Sequence, residues 1–185
     1  MTKKLKQKPC DIRVIDNFLP EKDFKTLSDI FFDTNTMWYR TPGISEENST
    51  MDILNPLDNY MFAHMVYNNY LPTSNSWEQV SSILLPAVQK TCMNSFRSLI
   101  RVKVNLYPRT HKVQTHPFHT DGDHIVGMRG LLLSFNTCDG YTGFIDGTQV
   151  DSVANRAIFF DATEKHHSTS CSNQPIRMNM NINYV

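Results

Sequence analysis

Two segments in the second half of the chain restrict its fold more than any other feature. LIRVKVNLYP (99–108) and IRMNMNINY (176–184) alternate apolar and polar residues without a break. Side chains of a β-strand point to opposite faces in turn. Ile100, Val102, Val104 and Leu106 therefore share one face, and Arg101, Lys103, Asn105 and Tyr107 the other. In the later segment Met178, Met180, Ile182 and Tyr184 oppose Arg177, Asn179, Asn181 and Asn183. A helix would scatter these residues around its circumference, so the period of two specifies strands, each with one polar face.

Between and beside them run further short segments of the same kind: Gly130 to Phe135, Tyr141 to Ile145, Thr148 to Val153 and Ala157 to Phe160. Asp139-Gly140 and Asp146-Gly147 punctuate them, and Asp-Gly between apolar runs predicts a hairpin. The first half differs. Ile12 to Phe18, Met37 to Arg40 and Tyr60 to Tyr67 read as strands, while Phe24, Leu27, Ile30 and Phe31 form one helical stripe after Pro20. Trp77, Val80, Ile83, Leu84, Ala87 and Val88 form a second, with Pro86 expected to kink or restart it. The expected fold class is α+β, mainly β: a double-stranded β-helix, or cupin-like jelly roll, with amino-terminal helices packed on one sheet.

The 185 residues suit one domain, taken as 1–185, with lysine-rich residues 1–9 as a flexible tail. Lysine plus arginine equals aspartate plus glutamate at 18 each, so no net charge favours a nucleic acid or an anionic membrane. Cys10, Cys92, Cys138 and Cys171 form no CxxC pair and are expected to be reduced thiols. No apolar run follows the basic amino terminus, and no 18-residue apolar stretch occurs, so a cytoplasmic location is expected.

Chemistry concentrates in HPFHTDGDH (116–124). On an extended segment His119 and Asp121 point the same way, which places an imidazole beside a carboxylate. With a later histidine they would form a 2-His-1-carboxylate facial triad, a site for Fe(II) with open positions. The later candidates are the adjacent His166 and His167, and the residues alone leave the choice open. A zinc hydrolase using His119, His124 and His166, with Asp121 or Asp123 as base, is an alternative donor set. His111 and His116 are expected to face solvent or the substrate rim, and His64 to be a core or cross-strand residue. Arg129, Arg40 and Trp38 are read as surface or packing residues. Arg177, on a polar sheet face shortly after the histidine pair, is the expected anchor for a dicarboxylate, because its planar fork grips a carboxylate in two places.

His119-x-Asp121, His166 45 residues later and Arg177 eleven after that together resemble the 2-oxoglutarate/Fe(II)-dependent dioxygenase superfamily, in particular its prolyl 4-hydroxylase-like branch. VKVNLYPRT, NTCDGYTGFIDG and NRAIFFDATEKHH are similar to members carried by bacteriophages, which would place the protein in a host cytoplasm. The resemblance implies His119, Asp121 and His166 as ligands to Fe(II), with His166 preferred because the first histidine after FDxxxx is the ligand. It implies Arg177 on the distal carboxylate of the cosubstrate 2-oxoglutarate, with Tyr107 and Asn105 in the same pocket. It further implies consumption of O2, hydroxylation of a C–H bond, succinate and CO2 as coproducts, and ascorbate as a supporting reductant.

Asp121 is the carboxylate that halogenases of the superfamily lack. Asn183 stands where nucleic-acid dealkylases carry a second arginine. The implied substrate is a protein or peptide prolyl residue or a small molecule. A non-catalytic, metal-binding cupin-type module is the competing reading, and Arg177 argues against it, since a structural metal needs no dicarboxylate anchor. Substrate choice is expected to depend on variable loops such as Ile44 to Asn59, and oligomeric state is open.

Overall fold

The computed structural model describes residues 10–41, 60–92, 95–122 and 125–185. The basic tail, the Ile44 to Asn59 loop, and the alternative donors Asp123 and His124 lie outside the described residues. In chain order the elements are β1 (Arg13–Ile15), α1 (Glu21–Phe32), β2 (Tyr39–Thr41), β3 (Met61–Asn68), β4 (Leu71–Pro72), α2 (Trp77–Cys92), β5 (Leu99–Pro108), β6 (Arg129–Ser134), β7 (Tyr141–Phe144), β8 (Gln149–Asp151), β9 (Ala157–Asp161), β10 (His166–His167) and β11 (Ile176–Tyr184).

The two alternating segments become β5 and β11 and pair with each other, antiparallel, at the centre of an eight-stranded sheet ordered β1-β9-β6-β11-β5-β3-β2, with β4 on β3. Their registers match each apolar residue to an apolar one and each polar residue to a polar one: Met180 faces Val104, Ile182 faces Val102, Arg177 faces Tyr107 and Asn181 faces Lys103. A slip of one residue would bury the polar row under the helices. The apolar face of this sheet, through Val102, Val104, Leu131, Leu133, Met178, Met180 and Ile182, packs on Leu27 and Phe31 of α1 and Val80, Leu84 and Val88 of α2. Helices thus cover one face of the large sheet, as the sequence predicts.

The other face meets a small sheet ordered β10-β7-β8. Leu132, Ile158 and Phe160 of the large sheet cluster there with Phe144 and Val150 of the small one. The small sheet is extended at its β10 edge by the irregular segment 115–119, through bridge pairs Thr115 to Thr169 and His119 to His166. The protein is therefore mainly β, with antiparallel sheets layered under two helices.

Two expectations change. Asp146-Gly147 closes the β7–β8 hairpin, with Gly147 at φ 92, but Asp139-Gly140 closes none, since β6 and β7 belong to different sheets. The Asp139 carboxylate instead accepts hydrogen bonds from the Ser172 amide at 2.8 Å and the Ser172 hydroxyl, tying the crossover to the loop before β11. Pro86 does not restart α2, which runs continuously from Trp77 to Cys92. Pro86 lies on the exposed side, where the Ser82 carbonyl it leaves unpaired faces water. All four cysteines are free. No helix among the described residues is long and apolar enough to cross a membrane.

Candidate active site

The segment carrying His119 and Asp121 is held to β10 and its approach by backbone bonds. His119 donates to the His166 carbonyl and His166 to the His119 carbonyl, both at 2.9 Å, and the Asp121 amide donates to Ala162 at 2.9 Å. Opposed residues in such a pair share a face. The two rings consequently meet at 4.6 Å between centroids, and Asp121 comes to 3.9 Å from His166 Nε2. One donor atom from each of His119, Asp121 and His166 lies within 4.8 Å of the others.

The ring orientations have identifiable causes. His166 Nδ1 bonds the Glu164 carbonyl at 2.9 Å and His119 Nδ1 the Pro117 carbonyl at 3.4 Å, so both rings leave Nε2 free for a ligand. His166 packs against Phe160 at 4.8 Å and Phe144 at 6.2 Å. His167, the next residue along the strand, points the other way. It packs over Gly143, where a Cβ would collide with its ring, and against the edges of Phe118 and Tyr141. The structure thus brings His166, not His167, to His119 and Asp121.

Asp121 is fixed from the opposite sheet. Its Oδ1 accepts from Arg101 Nη2 at 3.0 Å, and its Oδ2 accepts from Asn181 Nδ2 at 2.9 Å and Asn183 Nδ2 at 3.1 Å. Burial alone would raise its pKa. The charges of His166 and Arg101 and the Asn181 hydrogen bond outweigh that and hold the carboxyl well below the usual range, so it is ionised at neutral pH. His119 is pushed down to about 4 by burial and the neighbouring His166, leaving its imidazole neutral, the form that ligates metals.

Along the polar face of β11, Arg177 lies four residues from Asn181, about 13 Å at 3.3 Å per residue. It is 1% exposed. Its Nη1 donates to the Thr169 carbonyl at 2.9 Å and its Nη2 to Thr142 Oγ1 at 3.0 Å, while Nε has no partner. Its guanidinium sits 5.6 Å from the Tyr107 ring centroid. Between Arg177 and Asp121 on that face lie Asn105, whose amide donates to Asn179 at 3.1 Å, and Lys103, opposite Asn181. Burial and the charge of Arg101 push the Lys103 ammonium down to about 8, Asp121 partly offsetting them.

His116 corrects an expectation. It does not face solvent or a rim but is 3% exposed, stacked 5.3 Å from Tyr107, with Nδ1 at 2.8 Å from the Ser168 hydroxyl. Burial, followed by the charge of Arg177, pushes it down to about 3. His111 is exposed. His64 is a cross-strand residue opposite Val104, bonded to the Met37 carbonyl and Ser74. Arg129 pairs with Asp11 and Asp161, Arg40 lies over Tyr60, and Trp38 packs on His64, so all three serve surface or packing roles.

The donors fit a divalent metal of the Fe(II) kind: two imidazole nitrogens and one carboxylate, with ring tautomers set by backbone carbonyls. The chemistry of a dicarboxylate suits Arg177, since a buried guanidinium with an unused N–H calls for an acceptor. Crystal structures with this arrangement of strands exist. A Pseudomonas putida prolyl-4-hydroxylase superposes with a TM-score of 0.63 at 15% identity, over 95% of this chain and 93% of its own. A Burkholderia pseudomallei oxidoreductase of the 2OG-Fe(II) oxygenase family gives 0.65 at 7% identity, over 94% and 84%. The fold is that of the 2-oxoglutarate/Fe(II) oxygenases. A Trichoplax adhaerens prolyl hydroxylase in complex with a hypoxia-inducible-factor peptide fragment shares it too, with 0.60 at 12% identity over 94% and 82%. No protein-family model and no curated protein sequence matches the chain.

Sequence reasoning missed Arg101, Asn181, Asn183 and Thr142. The alternation places the first three on the site face, but only the folded chain reveals that they converge on Asp121. Thr142 comes from the other sheet, and no spacing connects it with Arg177.

Proposed function

We propose that the protein is an Fe(II)- and 2-oxoglutarate-dependent dioxygenase that hydroxylates a C–H bond, releasing succinate and CO2. One observation carries this reading: a His119, Asp121 and His166 donor set and a fully buried arginine with an unused N–H lie along the same polar face of the large sheet. His119, Asp121 and His166 would hold the metal, and Arg177 the distal carboxylate, with Tyr107 and Asn105 along the chain of the cosubstrate. When bound, iron and 2-oxoglutarate together supply an oxidant from O2, with ascorbate as a supporting reductant.

The chain's own share is orientation and exclusion. Arg101, Asn181 and Asn183 keep Asp121 ionised and aimed, the Pro117 and Glu164 carbonyls fix the imidazoles, and Phe144 and Phe160 close the His166 side to water. Arg177 is held between Thr142 and Thr169, so its fork is positioned before any ligand arrives. The jelly-roll description of the two layered sheets belongs to the same reading, as does the phage likeness, which rests on the sequence alone.

A peptidyl proline is the first substrate to test, because two proteins of the same fold are prolyl hydroxylases and one was captured with a peptide. The purified protein with Fe(II), ascorbate and candidate peptides or small molecules should convert 2-oxoglutarate to succinate. Formation no greater than in a His119→Ala control would remove the enzyme claim. Calorimetric binding of 2-oxoglutarate that vanishes in Arg177→Ala would favour the enzyme over a non-catalytic cupin-type module.

A further inference from the structure

The site carries more positive charge than iron and 2-oxoglutarate can balance. Arg101, Lys103 and Arg177 all rise from the polar face of β5 and β11. Together with a divalent ion they face, among the described residues, one protein carboxylate, Asp121, and the two carboxylates of the oxoacid, which leaves two positive charges over. Arg101 is bonded to Asp121 and Asn183 and keeps about a quarter of its side chain in solvent, at 23% exposure, so water screens its share. Arg177 is assigned to the distal carboxylate. The remaining charge belongs to Lys103.

Lys103 feels the charge of Asp121 but is not bonded to it. Among the described residues it makes no hydrogen bond or ion pair. It stands opposite Asn181, the residue that holds Asp121, and is therefore level with the metal donors, not with Arg177. Asp121 already accepts from Arg101, Asn181 and Asn183, and the fourth acceptor position of its carboxylate is the one a metal would take. The carboxamide oxygens of Asn105 and Asn181, which flank Lys103, are buried without a donor, so the floor around it is also incomplete. A compact, partly buried ammonium without a bonded partner among the described residues suits a monoanion.

We propose that Lys103 binds a carboxylate of the substrate, so that the molecule hydroxylated is an acid and not its neutral amide or ester. This rests on the oxygenase reading for the place of the metal and 2-oxoglutarate, and it assigns the one cation that reading leaves unused. The substrate carboxylate would sit at the metal end of the channel and fix which C–H bond faces the iron.

The test uses the full chain loaded with Zn(II), which is redox-inert, and saturating 2-oxoglutarate, with the lysines dimethylated with carbon-13. Binding of 2-oxoglutarate is read first by calorimetry, and its failure would sink the oxygenase reading before Lys103 is questioned. Acetate and acetamide are then titrated at constant ionic strength. Acetate should shift the resonance assigned to Lys103 saturably, with an apparent affinity at least tenfold above that of acetamide. Lys103→Met should lower calorimetric acetate affinity at least tenfold while changing 2-oxoglutarate affinity less than twofold, and Lys103→Arg should restore part of it. Three outcomes would overturn the proposal: no saturable acetate shift, a shift seen only when 2-oxoglutarate is left out, or unchanged acetate affinity in Lys103→Met, which would make the metal its host.

Discussion

If Arg177 holds the cosubstrate as proposed, Gly140→Ala should disable that site without replacing any residue assigned to it. A Cβ built at Gly140 would lie 2.5 Å from the Ser170 carbonyl oxygen and 2.6 Å from Cδ of Arg177. Ordinary contacts begin near 3.5 Å, so both neighbours, or the Gly140 backbone and one of them, have to give by roughly 1 Å. The Ser170 backbone is tied to Gln114, and Gly140 itself accepts from the Ser152 amide, so the Arg177 side chain is the softer partner. Overpacking of this kind costs about 1–3 kcal/mol of stability. A 1 Å shift of the guanidinium also breaks its bond with Thr142 or spoils one of two charge-assisted bonds to the ligand, each about 1.5–3 kcal/mol. At 1.4 kcal/mol per factor of ten, 2-oxoglutarate affinity should fall about ten- to a hundredfold. Gly147→Ala is the control. Gly147 sits at φ 92 with open space around it, so alanine there strains the hairpin but leaves Arg177 alone. Urea unfolding would report similar destabilisation for both variants, and calorimetry on zinc-loaded protein should show the affinity loss in Gly140→Ala only. Equal 2-oxoglutarate affinity in the two variants would refute the placement of Arg177.

Three further outcomes follow from the same geometry. His166→Ala should abolish stoichiometric metal binding, whereas His167→Ala, which removes a ring packed on Gly143, should keep it at reduced stability; equilibrium dialysis distinguishes them. Asn181→Ala should weaken metal binding about tenfold by releasing one of the three donors on Asp121, with metal analysis after competition against a chelator as the readout. Acid should destabilise the metal-free protein between pH 6.5 and about 3. The unfolded chain protonates His116 below 6.5, the folded chain not until about 3, so the unfolded state binds more protons throughout that window and stability falls with pH. His116→Gln should remove about 1 kcal/mol per pH unit from the slope of unfolding free energy measured from pH 7 to 5, and an unchanged slope would contradict the burial of that ring.

The strands were legible where one side chain in two had to be apolar. β5 and β11 match the alternating segments end to end because both faces are fully occupied, one by helices and one by the site, and each face demands its own chemistry. Asp139-Gly140 misled because glycine has two uses. At Gly147 it supplies a positive φ for a turn, but at Gly140 it supplies room for Arg177, and a local pattern cannot tell space from conformation. His116 misled for a related reason: a histidine in a polar loop reads as exposed until the loop is laid on Tyr107. β10 is two residues long, too short for any periodicity, and its strand character comes from pairing with β7 on one side and with His119 on the other.

The mounting of the donors has a mechanical consequence. Both histidines are carried by the small-sheet side, while the carboxylate between them is gripped by Arg101, Asn181 and Asn183 of the large sheet. An ion shared by all three would act as a rivet through the two layers at the end of the sandwich where apolar packing gives way to the asparagine row. Ligand occupancy would then be a term in the cohesion of the whole protein. An ion held at a hundred times its dissociation constant adds about 2.7 kcal/mol to stability, concentrated along this seam. Amide exchange in β10 and at Asp121 would slow most on loading, while α1 and α2, anchored in a separate core, would be little changed.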